Sequence, residues 1–258
     1  MFISKAHLIE VFGTKLALNL KSEVSKTYLS YVWWLLEPAL MVTVLYIVFA
    51  MFLSKSRPDF IVFIMCGKIP FLWFSKSVSN SSNSITSGRG LINQVSMPVP
   101  FFPMLVVFQD AFKQSIVFLF MFVFFIIYGM EVSWVWLSII FVIFTQFLLV
   151  CAISLLVSAI TPFLPDFKYL IATAMLALMF GSGIFYSYKE LLQPRYQELF
   201  LLNPVANLIK NYRQVFMDNA QPDWIALTSI SLGSILLIAV MTLYFRRTNT
   251  VYARLIAQ

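Results

Sequence analysis

Between Trp134 and Ile160 the chain carries no Asp, Glu, Lys or Arg, and five more windows of similar length are almost as apolar. A helix needs about 20 mostly apolar residues to cross a bilayer, whereas the strands of an outer-membrane barrel are about ten residues long and alternate in polarity. These runs have helical length and no such alternation. They predict helices near 32–53, 60–79, 104–128, 134–160, 169–187 and 224–245. A chain that is 60% hydrophobic and 11% charged cannot hide this surface in one water-soluble core. The fold expected is therefore an all-α membrane protein with six transmembrane helices.

The stretch after Met1 has no early apolar run and no small-residue cleavage site, so a removable signal peptide is not expected. Cys66 and Cys151 both fall inside apolar windows, where thiols behave as small hydrophobes, and no disulfide framework follows. The net charge of +7 would suggest nucleic acid in a soluble domain, but here it is read against topology. With the N-terminus inside, the cytoplasmic segments hold Lys5, Lys15, Lys21, Lys26, Arg89, Lys168, Arg246, Arg247 and Arg254. The outer segments hold Lys55, Arg57, Lys189, Arg195, Lys210 and Arg213, and Lys76 and Lys113 near inner helix ends add to the inside excess. The bias predicts a multi-pass protein with both termini in the cytoplasm and an even number of spans. No repeat relates the two halves, which weakens a carrier reading, and six helices alone enclose little space. A homodimer with a pathway between subunits is the economical arrangement.

Several segments interrupt this pattern. Over residues 5–30 apolar side chains recur at Leu8, Phe12, Leu16, Leu20 and Val24 between charged ones, which predicts an amphipathic interface helix within 1–31. Such a helix either anchors at the inner surface, apolar side in lipid, or also touches a cytoplasmic partner. Just before the first span, Trp33-Trp34-Leu35-Leu36-Glu37-Pro38 places a carboxylate and a proline where both are costly in lipid. A Ser/Asn-rich run leads into Gly88-Arg89-Gly90-Leu91-Ile92-Asn93, and Met97-Pro98 and Val99-Pro100 would stop any helix begun there. That segment, 84–100, is a connecting loop or a short cytoplasmic docking helix. Residues 188–217 predict two short helices, the second started by Asn203-Pro204, that either dip back into the interface as re-entrant helices or form a solvated cap.

Among ionisable residues, Lys68 lies deepest, between Gly67 and Pro70, and would attract an anionic substrate, pair with an acid such as Glu37, or snorkel. Asp110 and Lys113, three apart, suit a local ion pair. Trp134, Trp136 and Trp224 fall where an interfacial belt is expected. Trp33, Trp34, Phe71, Trp73, Phe74, Phe185 and Tyr186 gather near helix ends, where rings either pack ordinarily or offer faces for sliding sugars. One histidine, His7, no metal-ligand cluster and no phosphate-binding loop leave no catalytic constellation, so any ATP is hydrolysed by another polypeptide.

Taken in order, Leu29, Trp33, Leu36 and Pro38, then Gly67-x-x-Pro70-x-x-Trp73-Phe74, the Asn93-to-Pro103 stretch, Asn203-Pro204 with Arg213 following, and the basic tail resemble the membrane subunits of ABC-2-type bacterial polysaccharide exporters. The likeness covers nearly the whole chain, as one ABC-2-type transmembrane domain over 1–258, and is nearest to the O-antigen exporters of lipopolysaccharide assembly. Ser30, where that pattern usually has glycine, departs from it. The resemblance implies a homodimeric channel in the bacterial inner membrane, bound to two nucleotide-binding ATPase subunits that use ATP and Mg2+, with no cofactor held by the channel itself. Its substrate would be undecaprenyl-diphosphate-linked O-antigen polysaccharide. It further implies an ATPase-coupling role for Arg89, Leu91, Asn93 and Met97, and a substrate pathway past Trp33, Trp34, Glu37, Lys68, Trp73, Phe74, Phe185 and Tyr186. Capsular polysaccharide and teichoic acid exporters, exporters of drugs or small lipids, and a membrane enzyme acting on polyprenyl phosphates are the rival readings. The enzyme would need acids gathered on one face, and Asp59, Asp110 and Asp166 lie on different segments.

Overall fold

The computed structural model describes residues 5–25, 30–48, 59–90 and 97–257. In chain order the helices are α1 (Lys5–Ser25), α2 (Ser30–Tyr46), α3 (Phe60–Ser82), the single turn α4 (Ser84–Ser87), α5 (Phe101–Ile127), α6 (Ile139–Ile160) with a 3-10 turn at Trp134–Ser138 before it, α7 (Phe167–Gly181), α8 (Tyr188–Leu191), α9 (Pro194–Leu201), α10 (Pro204–Phe216) and α11 (Trp224–Ala257). Four helical stretches are long and apolar enough to cross a membrane: Phe60–Ser82, Phe101–Ile127, Trp134–Ile160 and Trp224–Asn249. Val32–Tyr46 and Phe167–Gly181 are apolar but shorter. The window expected at 32–53 is helical through Tyr46, and residues 49–53 lie outside the described residues. The window expected at 169–187 ends early, at Gly181, because Gly183 adopts φ 70°, a left-handed conformation that no helix continues through.

α3 is the axis of the assembly, buried along most of its length and in contact with α2, α5, α6, α7 and α10. Two hydrophobic clusters form around it. The larger gathers α3, α5, α6 and α10 about Val62, Ile64, Phe125, Tyr212 and Phe216. A smaller one, at the end where α4 meets α5, holds Ile85, Met97, Val99, Phe102, Leu155, Phe245 and Tyr252. α1 packs its Leu8, Phe12 and Leu16 against this second cluster, with the Phe12 ring edge-on to Phe101 and Phe108. Three residues of the apolar stripe of α1 are thus seated at least partly on protein. The periodicity of the stripe is the same on lipid or on protein, since any apolar partner satisfies it.

Element ends follow local chemistry. α5 stops where Gly129 takes φ 94° and Met130 N–H donates back to the Phe125 carbonyl at 3.0 Å, the glycine-terminated helix end. α10 starts as predicted, with Asn203 Oδ1 accepting from Val205 N–H (3.0 Å) and Pro204 in the first turn. α9 was not foreseen, although Pro194 in its first turn is the same signal. Trp134 and Trp224 are exposed as an interfacial belt requires, but Trp136 is buried edge-on to Phe216. At about 1.5 Å per residue, the 34 residues of α11 span about 50 Å, longer than a bilayer's hydrocarbon core. Its last turns are fastened back by Tyr252, whose hydroxyl donates to the Ala159 carbonyl at 2.6 Å, and by Asn249, whose Oδ1 accepts from Val99 N–H at 3.1 Å.

Candidate functional site

The residues singled out in the sequence separate into two places along α3. At one end the chain breaks after α7, and three elements converge on that break. Arg213 of α10 donates from Nη1 to the Gly183 carbonyl (2.7 Å) and from Nη2 to the Ile184 carbonyl (2.8 Å), with longer contacts to the Phe63 carbonyl of α3. Its guanidinium also lies over the Phe63 ring, 3.4 Å from the centroid. Asn203 Nδ2 donates to Ser182 Oγ (2.9 Å), and Tyr186 Oη donates to the Phe180 carbonyl (2.9 Å), so the end of α7 has side-chain partners on both sides. Gly67 permits this approach. A Cβ there would stand 3.1 Å from Arg213 Nη2 and 3.3 Å from the Ile184 Cα, and the second contact is backbone that cannot rotate away. Beside this knot lies a cleft of about 390 Å³ lined by Phe63, Ser182, Tyr188, Lys210, Arg213 and Gln214, among others. Phe185 and Tyr186 line the neighbouring cavity on its far side. Asp223 accepts from Lys210 Nζ at 2.9 Å and from Ala226 N–H, which holds its carboxyl below the ordinary carboxylate value.

At the other end α1, α2, α3 and α5 enclose a pocket of about 290 Å³. Its charges are arranged in pairs. Lys76 of α3 meets Glu37 of α2 at 2.6 Å, and Lys113 of α5 meets Glu23 of α1 at 2.7 Å and its own neighbour Asp110 at 3.6 Å. Asn80 donates to Asp110 at 3.1 Å and Gln109 to Glu23 at 2.8 Å. The local Asp110–Lys113 pair expected from their spacing is present. Trp34 and Trp73 supply aromatic lining, with Lys113 Nζ 5.8 Å from the centre of the Trp34 ring. The Glu37-Pro38 irregularity is therefore buried in part: Pro38 is buried, while Glu37 reaches outward to Lys76.

Lys68 lies between the two places and joins neither. Its side chain is only 3% exposed, and Nζ contacts Met179 Sδ of α7 at 3.0 Å and sits 5.8 Å from the Phe71 ring centre. Of the alternatives offered for Lys68, pairing with Glu37 is not formed, because Lys76, eight residues further along α3, meets that carboxylate. Trp33 is exposed and is not part of the pocket lining, and Phe74 is buried beside Val205 and Ile209 of α10. Trp73 is packed between Phe118 and Phe147 while still lining the pocket.

Of the coupling residues, Leu91 and Asn93 lie outside the described residues. Arg89 is exposed, and Met97 is buried in the smaller cluster, so its side chain is not presented at the surface. Gly88 is pressed against α5, since a Cβ there would fall 2.3 Å from the Phe102 ring. Among the described residues no group of three or more His, Cys, Asp or Glu is placed to hold a metal ion.

No protein-family model matches the chain. It is 24% identical over 236 residues to the O-antigen export system permease protein RfbA of Myxococcus xanthus, covering 91% of each chain. The permease of the same name from Klebsiella pneumoniae is 24% identical over 78% of this chain and 77% of its own. The polysialic acid transport protein KpsM of Escherichia coli is 23% identical over 88% of this chain and 86% of its own. These likenesses relate the chain to the permeases of ABC-2-type polysaccharide export systems, which are transport subunits and not enzymes.

Proposed function

We propose that this protein is the membrane channel of an ATP-driven exporter that moves undecaprenyl-diphosphate-linked O-antigen polysaccharide across the bacterial inner membrane. The observation that carries this reading is the collinear likeness to an O-antigen permease over 91% of the chain, with Gly67, Asn203 and Arg213 meeting in one knot. The reading takes all six apolar helices as spans, both termini as cytoplasmic, and α8 to α10 as short helices dipping back at the periplasmic face. ATP and Mg2+ are used by two copies of a separate ATPase docked against the 84–100 segment, where Arg89, Leu91, Asn93 and Met97 belong.

The exposed faces of α2 and α7 favour a homodimer with the pathway between subunits. α2 leaves Trp33, Leu40 and Val44 uncovered, and α7 leaves Leu170, Leu176 and Phe180 uncovered. Apolar faces of this size are covered either by lipid or by a second copy. Phe185 and Tyr186 lie at the periplasmic end of that pathway and the Trp34–Glu37–Trp73 pocket at its cytoplasmic end, with Lys68 behind α7 between them. On this reading ATP closure moves the 84–100 segment. The described contacts carry that motion first to α5 and α1, through Gly88 on Phe102 and Phe12 on Phe101.

Deleting the gene tests the reading: surface polymer should disappear while lipid-linked glycan accumulates inside, and restoration by the wild-type gene but not by an Arg89→Ala/Asn93→Ala double variant is expected. Undiminished surface polymer in the deletion strain refutes it. The likeness to the polysialic acid transport protein over 88% of the chain supports a capsular substrate as the second reading. The two separate by whether the missing polymer is attached to lipopolysaccharide or forms a capsule.

A further inference from the structure

Both cytoplasmic connections of the export reading, the 84–100 segment and the corner between α6 and α7, are fastened to the same stretch of α11. On the first, Pro98 and Pro100 have no N–H, so Val99 carries the one backbone donor of Pro98-Val99-Pro100, and it goes to Asn249 Oδ1 at 3.1 Å. On the second, the Phe163 N–H that would close the next turn of α6 goes instead to the Ile160 carbonyl (3.1 Å), and the Ala159 carbonyl accepts from the Tyr252 hydroxyl at 2.6 Å. The Phe163 ring stands edge-on to that of Tyr252, centroids 5.1 Å apart, and Tyr252 is fully buried. α7 begins at Phe167, just beyond this corner.

The two attachments depend on each other. The apolar window of α11 ends at Asn249, and the exposed Arg246 and Arg247 mark where the helix leaves the lipid. Residues 250–257 continue it for about two turns, and a helical extension so short is marginal in water unless tertiary contacts hold it. Asn249 and Tyr252, three apart and so on one face, supply such contacts. Releasing either lets the tail fray and loosens the other. α7 is seated on α3 by a narrow stripe in which Ile171 and Met175 are buried, so its first turn follows the corner while Arg213 holds the chain at its far end. We infer that Asn249 and Tyr252 are coupling residues: the end of α11 straps the 84–100 segment to the α6–α7 corner, so displacement of that segment by the ATPase reaches α7 through α11, beside the branch through α5 and α1. The inference rests on the export reading for what drives the strap, whereas the contacts that form it do not.

Hydrogen exchange by mass spectrometry on the full-length protein in lipid nanodiscs tests the linkage through effects at a distance. Asn249→Leu removes the acceptor for Val99 and should speed the amides of 161–164, at the other attachment, by roughly fivefold, the factor for one lost hydrogen bond. Tyr252→Phe keeps the ring, removes the donor to Ala159, and should speed the amides of 99–104 by a similar factor, since coupling between two sites is reciprocal. Asn249→Asp keeps an oxygen acceptor and should leave 161–164 as in the wild type. In the complex with its ATPase, reconstituted in vesicles, Asn249→Leu and Tyr252→Phe should lower the polymer exported per ATP hydrolysed several-fold while hydrolysis itself stays near wild type, and Asn249→Asp should keep the ratio. A purely structural role would instead lower hydrolysis and export together, through the amount of folded complex. Exchange that changes only beside the substituted residue, an Asn249→Asp variant that behaves as Asn249→Leu does, or an unchanged ratio of export to hydrolysis overturns the inference. The export reading fails separately, in a deletion strain that still displays its polymer, and the exchange measurement reads the linkage whichever way that falls.

Discussion

Arg213→Ala is the substitution whose consequences can be worked most fully from the geometry. It removes the donors to the Gly183 and Ile184 carbonyls at 2.7 and 2.8 Å, the two longer contacts to Phe63 O, and the guanidinium above the Phe63 ring. Leaving a buried carbonyl without its partner costs ~1–3 kcal/mol, and a partly desolvated cation over a ring contributes ~0.5–2 kcal/mol. Because these contacts share one side chain they do not add fully, and ~3–5 kcal/mol is the expected loss. For a chain of this length that corresponds to a fall in Tm of roughly 6–15 °C. Arg213→Lys should lose about half as much, since an ammonium reaches one carbonyl but cannot fork across two. Thermal unfolding in detergent, followed by size-exclusion recovery of the monodisperse peak, measures both. An Arg213→Ala protein whose Tm falls by less than 2 °C would show that the end of α7 is held by something else.

Two more expectations follow from single contacts. Gly88→Ala places a methyl 2.3 Å from the Phe102 ring and should lower both thermal stability and export, with Phe102→Leu in the same chain restoring part of each; no effect of Gly88→Ala alone would mean that α4 does not bear on α5. The Lys210–Asp223 pair sets a pH dependence. The folded-state carboxyl titrates below its unfolded value of about 3.9, so its stabilisation is complete above that value and is lost as pH falls through the depressed one. Asp223→Asn should flatten the acid limb of a stability-against-pH curve below pH 4 and leave the neutral limb parallel, as read by the unfolding midpoint at each pH.

How much of this was legible from residues alone depended on whether the signal was local. Asn203-Pro204 announced the start of α10 because capping is written into adjacent side chains. The apolar windows announced the long helices because lipid accepts no other unbroken run. Gly67 and Arg213 were visible as parts of a pattern, yet nothing in their neighbourhoods says that they touch, and Arg213 meets Phe63 from 150 positions away. The end of α7 was misplaced because Ile184-Phe185-Tyr186 continues the apolar run, although Gly181-Ser182-Gly183 carried the break. Lys68 lies in an apolar run and Lys76 in a serine-rich one, but neither neighbourhood names its partner, and the packing of α2 decides that Glu37 meets Lys76. Trp136 and Trp134 differ by two positions, and the 3-10 turn rotates one inward and the other out. Register at a short turn is a tertiary outcome that composition does not encode.

The two ends of the molecule are fastened by interactions of unequal strength, and this decides which end opens first. α2 buries only Val42 and Pro38 among its described side chains, and its polar tie to α3 is the Glu37–Lys76 pair, whose side chains are 57% and 45% exposed. An ion pair so exposed contributes about 0–1 kcal/mol, less again in salt. α7 buries equally little, Ile171 and Met175, but its end is held by Arg213, Asn203 and Tyr186 acting on backbone and side chain together. Separating α2 from α3 is therefore the cheaper motion, and it is the one that uncovers the pocket between them. Hydrogen exchange on the protein in nanodiscs should find amides of 30–46 exchanging faster than those of α3. Glu37→Gln should speed α2 further without changing α3, because the variant removes the charge that ties α2 to Lys76. Protection of α2 equal to that of α3, or unchanged by Glu37→Gln, would mean that the exposed pair does not set the order of opening and that α2 is held by other contacts.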